Sequence, residues 1–130
     1  MPLEITNVFH VTADGDYANY GDRIPLLNIH KDGYFQVCSS VNWDKNYCIT
    51  KDIVLGKPHQ MAIIQYKQSQ KYWYKVIIDD ETEELMENHQ ARSFPNVKFY
   101  LSDPWTASFS SNLGSVCNLN WFGKLGLVHR

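Results

Sequence analysis

The 130-residue sequence has no unbroken apolar run near the roughly 18 residues that a membrane-spanning helix needs. It also lacks an excess of either charge: twelve Lys and Arg face fourteen Asp and Glu, a formal net charge of −2. A nucleic-acid footprint, which concentrates Lys and Arg, is therefore not expected. The first residues, Met1-Pro-Leu-Glu-Ile-Thr-Asn7, show neither the basic nor the apolar region of a secretory leader. Either the chain acts inside the cell, or Met1 heads a mature or excised domain. Among catalytic signatures, Gly-x-Ser-x-Gly, His-Glu-x-x-His and a glycine-rich phosphate loop are all missing. The histidines, His10, His30, His59, His89 and His129, are scattered. The expectation is a protein that is not an enzyme.

Cysteine is scarce, with Cys38, Cys48 and Cys117 and no Cys-x-x-Cys spacing, which argues against zinc. In an oxidising compartment one pair closes and one thiol is left over. Cys38 and Cys48 flank the turn-like Asn42-Trp43-Asp44-Lys45-Asn46, and two strands meeting there would bring them near each other, depending on register. Three reduced cysteines in or near the core carry equal weight.

What the chain has is aromatic residues: four Trp, eight Tyr and six Phe, or 14%. With 44% hydrophobic residues, that is ample for a packed interior, and the length suits one domain spanning 1–130. Apolar residues alternate with period two in short stretches bounded by Gly, Asn, Asp and Pro. Strands are predicted over 4–12, 24–30, 34–41, 46–50, 60–67, 72–79, 83–87, 96–102 and 115–121. In 72–79 the alternation groups Tyr72, Tyr74, Val76 and Ile78 on one face. In 96–102 it turns Val97, Phe99 and Leu101 inward. The segment 82–92, the one helical candidate, has only Leu85 and Met86 as apolar residues, too few for a core-facing stripe. The fold class expected is all-β, an antiparallel β-sandwich or barrel.

Three segments together carry a family resemblance. They are Asn19-Tyr-Gly-Asp-Arg-Ile-Pro25; Val37-Cys-Ser-Ser-Val-Asn42 with Asn46-Tyr-Cys48; and Phe94-Pro-Asn-Val-Lys-Phe-Tyr-Leu-Ser-Asp-Pro-Trp105 followed by Cys117-Asn-Leu-Asn120. Their order and spacing resemble a laminin-G-like branch of the concanavalin-A-like jelly-roll superfamily of secreted and extracellular animal proteins. The resemblance implies two curved antiparallel sheets packed face to face. It further implies a lectin or adhesion role, a ligand at a sheet rim or on a concave face, and frequent calcium at the rim. Family members carry a further strand before the segment matching 7–16. Its absence here would open a sheet edge for the apolar tail 122–130 or for another subunit to cover, hence an expected homo-oligomer.

Two chemistries compete for the polar and aromatic residues. Asp14, Asp16 and Asp22 lie close in sequence, and Asp103 follows a later strand. Oxygen ligands converging from two loops suit Ca²⁺, so Asp16, Asp22 and Asp103 are candidate ligands. The alternative is that these aspartates build turns. For sugar binding, an aromatic platform with planar amides, carboxylates or Arg is required. Trp43 between Asn42 and Asp44 fits, because a turn tip rarely buries Trp. Trp105 is a second candidate, although packing beneath a turn explains it better. Arg23 is a candidate donor, or part of an Asp22–Arg23–carboxylate network holding the loop. The acidic run from Asp79 to Glu87 reads as a solvated hairpin tip rather than a hydrolytic pair. The leading expectation is a secreted, lectin-like module that binds a glycan, with calcium as an accessory. The alternatives are a non-lectin adhesion or assembly module and, more remotely, a secreted toxin component or enzyme subunit.

Overall fold

The alternating segments become strands in a computed structural model of the chain. It describes residues 5–101 and 104–105, together with the backbone of 113–117 and 124–129. Ten strands follow in order: β1 Ile5–Thr12, β2 Leu26–His30, β3 Tyr34–Val41, β4 Asp44–Asp52, β5 His59–Gln68, β6 Lys71–Ile78, β7 Glu81–Glu87, β8 Lys98–Leu101, β9 Leu113–Cys117 and β10 Lys124–His129. Among the described residues there is no helix. The chain is all-β with two antiparallel five-stranded sheets, consistent with a β-sandwich. Contacts divide it into two compact units. One combines Met1–Leu55 with Phe94–Ser111, the other Gly56–Ser93 with Asn112–Arg130.

In the first unit the sheet order is β4-β3-β2-β1-β8. Residues directly opposite each other share a face, so the register Phe9–Leu27–Val37 and the pair Ile29–Phe35 build one apolar layer. All five of these side chains are buried. The opposite face sets buried amides beside Leu26 and Cys38, and these amides are paired, as desolvation requires. Asn7 donates to Asn28 Oδ1 at 3.0 Å, and Asn28 donates to Gln36 Oε1 at 3.1 Å, an amide ladder across three strands. Leu26–His30 is buried at every position, which explains why Leu-Leu-Asn-Ile-His shows no alternation.

Cys38 and Cys48 are direct cross-strand partners and form a disulfide, with Cα atoms 4.1 Å apart. Of the two readings left open by the sequence, pairing is therefore the one adopted. Cys117 falls on β9, where only the backbone is described.

The turn between β3 and β4 is tighter than expected. β4 begins at Asp44, so only Asn42 and Trp43 span it, with φ of 53° and 69°. Ser69–Gln70 and Asp79–Asp80 join their strands in the same way, with both residues at positive φ. Such turns match the right-handed twist of the flanking strands and usually favour Asn-Gly or Asp-Gly.

The second unit orders its strands β7-β6-β5-β10-β9. Met61, Ile63, Tyr74, Val76 and Ile78 form its buried face, as the 72–79 alternation anticipates. Tyr72, on the same face, is 39% exposed at the strand's start. Of the strand expected at 115–121, residues 115–117 fall within β9, Leu113–Cys117, and 118–121 lie outside the described residues. The tail supplies a tenth strand, β10, between β5 and β9, so the chain itself covers that edge of β5. Leu101, expected inward, is 58% exposed, because it ends a four-residue strand at the edge of its sheet.

Candidate ligand-binding site

The connection between β1 and β2, residues 13–25, is too long to be a tight turn, and Asp22 organises it. Its carboxylate is 1% exposed as part of the residue. Oδ1 accepts the Gly15 N–H at 3.1 Å and Oδ2 accepts the Asn19 N–H at 2.8 Å. A Cβ on Gly15 would come within 3.2 Å of Oδ2, so the close backbone approach depends on glycine there. Below, the buried His10 ring donates from Nε2 to the Asp22 carbonyl at 2.5 Å. Gly21, at φ 104°, packs against the Phe94 ring, where no side chain would fit.

Ser40 joins this loop to the β3–β4 hairpin. Its hydroxyl accepts the Gly21 N–H at 2.9 Å and donates to the Lys45 carbonyl at 3.1 Å, while its N–H donates to the Arg23 carbonyl at 2.8 Å. Two side chains add further ties. Arg23 donates through Nη1 to Asn46 Oδ1 at 2.7 Å, and Lys45 donates to the Ala18 carbonyl at 3.3 Å. The remaining Arg23 bonds return to its own loop, from Nε to the Asp16 carbonyl at 3.1 Å and from Nη2 to Asp16 Oδ1 at 3.3 Å. Arg23 holds the loop through Asp16, whereas the Asp22 carboxylate expected in the same network bonds Gly15 and Asn19 instead.

Aromatic rings stand on this framework. Trp43 is 67% exposed, and its ring lies 6.2 Å from that of Tyr20, which in turn packs on Phe94 at 6.4 Å. Tyr17 is 56% exposed, with the Arg23 guanidinium 5.6 Å from its ring centroid. A sugar's C–H face gains from such rings, and amides and guanidinium groups can bond its hydroxyls.

Four of the residues singled out for ligand binding, Arg23, Asn42, Trp43 and Asp44, thus come together at one rim. Asp44 caps the start of its strand, accepting the Asn46 N–H at 2.9 Å. Trp105 belongs to another group: its ring meets His10 at 5.5 Å and Tyr100 at 5.6 Å, both edge-on, and it is 44% exposed. Tyr17, Tyr20 and Asn46 were not singled out from the sequence. The Tyr-x-x-Tyr spacing beside Gly21 was their visible sign, but it carries no chemistry until the loop docks.

Two of the three candidate calcium ligands are bound up within the loop. Asp16 is engaged by Arg23, and both oxygens of the buried Asp22 accept backbone N–H groups of its own loop. Asp103 lies outside the described residues. Among the described residues, no group of three or more His, Cys, Asp or Glu side chains is placed to hold a metal. The acidic run is likewise structural in part: Asp79 bonds His59 Nδ1 at 2.7 Å and accepts the Gln60 N–H at 2.9 Å. Comparison with protein-family models, with curated proteins and with solved structures finds no match, so no family is assigned and the functional reading rests on the chemistry of this rim.

Proposed function

We propose that the protein is a carbohydrate-binding recognition module whose glycan docks at the rim formed by the β3–β4 turn and the 13–25 loop. The observation that carries the reading is Trp43. A large aromatic side chain is 67% exposed at a position with φ of 69°, where glycine is the ordinary choice. The Tyr20 contact holds the ring in place while most of its surface stays in solvent, which points to use on the surface. The sugar ring stacks on Trp43, with Tyr17 as a second apolar contact. Arg23, Asn46 and the Asn42 amide supply bonds to hydroxyls. Three of the five Arg23 N–H groups are spent on Asp16 and Asn46, so two remain for ligand oxygens.

The role is binding without catalysis. The Cys38–Cys48 disulfide fits an oxidising, extracellular setting, as does the laminin-G-like resemblance of the three sequence segments. A glycan array probed with the purified chain and with Trp43→Ala tests the proposal. The expected result is retention of a defined glycan set that the variant loses. Failure of the wild-type chain to bind any glycan overturns it.

A further inference from the structure

We infer that the rim selects uncharged glycans over acidic ones, and that Asp16 is the residue that sets this preference. The inference rests on the glycan-binding reading above and goes beyond it to the ligand's charge. An acidic sugar needs a cation whose charge is not already matched. Arg23 is the guanidinium within the rim, and the Asp16 carboxylate lies 3.3 Å from it, on a side chain 26% exposed. The two form a partly shielded pair, which shows a ligand little net charge. Lys45 donates to the Ala18 carbonyl and neighbours the exposed Asp44. Lys98 lies 4.0 Å from Asp14, the remaining carboxylate at this end of the loop. With Lys98 beside Asp14, four carboxylates, Asp14, Asp16, Asp22 and Asp44, stand against three cations, Arg23, Lys45 and Lys98, an excess of one carboxylate. A sialic or uronic acid would meet that excess, while neutral hydroxyls find the two remaining Arg23 donors and the amides.

The test probes one array of neutral oligosaccharides and their sialylated or uronate-containing counterparts with the wild-type chain, Asp16→Asn and Asp44→Asn. Asp16→Asn keeps an oxygen acceptor for Nη2 and removes only the charge, and thermal melting checks that each variant is folded. Neutral glycans should be bound by the wild type with little change between about 0.05 and 0.5 M salt, since no ion pair with the ligand is screened. Asp16→Asn should gain about five-fold on the acidic counterparts, the scale of one partly exposed cation released to a carboxylate. Asp44→Asn, whose side chain is exposed and whose capping oxygen is kept, should gain in the same direction by less. Preference of the wild type for acidic glycans overturns the inference while leaving glycan binding intact. So does a folded Asp16→Asn with an unchanged acidic response. An array silent for all three chains overturns the glycan-binding reading itself, and this inference with it.

Discussion

The Arg23 guanidinium and the Asn46 side-chain oxygen are 2.7 Å apart, and that bond ties two segments 23 residues apart in sequence. On one side lies a loop folded around a buried aspartate. On the other lies a two-residue turn with Trp43 at its tip. With the Ser40 bonds and the Lys45–Ala18 contact, it gives exposed rings a fixed base, which a recognition surface needs to limit the entropy lost on binding.

Arg23→Ala should cost about 1–3 kcal/mol in stability, since three bonds are lost and the Asp16 carboxylate is left without its partner. Urea denaturation measures it, and acrylamide quenching of Trp fluorescence should rise as the rim loosens. Unchanged stability would show that the ties seen here do not hold the loop in solution.

Asp22→Ala should be more damaging within the same loop. The Gly15 and Asn19 N–H groups lose a charged acceptor that is itself buried, a cost of about 2–3 kcal/mol for the two bonds. Thermal unfolding followed by circular dichroism checks this. Were Asp22 instead a cation ligand, calcium would raise the melting temperature of the wild type. No such rise is expected.

Trp43→Gly separates function from folding. Glycine adopts positive φ without strain, so relief of about 1 kcal/mol should offset the lost Tyr20 contact and hold stability within about 1 kcal/mol of wild type. Glycan binding should disappear. A loss of several kcal/mol would assign Trp43 to the fold rather than to a ligand.

Removing the Cys38–Cys48 bond, by a dithiol reductant or by Cys38→Ala with Cys48→Ala, should cost about 2.5–3 kcal/mol for a sequence separation of 10 residues. The comparison of oxidised and reduced denaturation midpoints gives the value. An unchanged midpoint would mean that the strand pairing alone holds the hairpin closed.

Most of the strand framework was legible locally. Tyr74, Val76 and Ile78 alternate because one face of β6 is buried, and that period is written into any half-buried strand. The same logic failed at Leu101, since alternation cannot tell an edge strand's last residue from a buried one. It also gave no sign of the Asn7–Asn28–Gln36 ladder, because the amides were seen as single polar residues until the register aligned them. Trp43 was recognisable as a turn residue from its neighbours Asn42 and Asp44, although the turn proved shorter than the sequence suggested.

What the sequence determined by itself was therefore most of the strands, the turn tips and the exposed tryptophan, each dictated by contacts within a few residues. The tertiary structure decided which of several aspartates is buried as an acceptor and which neutralises Arg23. It also decided that Cys38 faces Cys48, and that residues 124–129 join a sheet as an inner strand. These outcomes depend on strand register and on loop docking across 7 to 70 residues of chain, where a single-residue slip would exchange one face for the other.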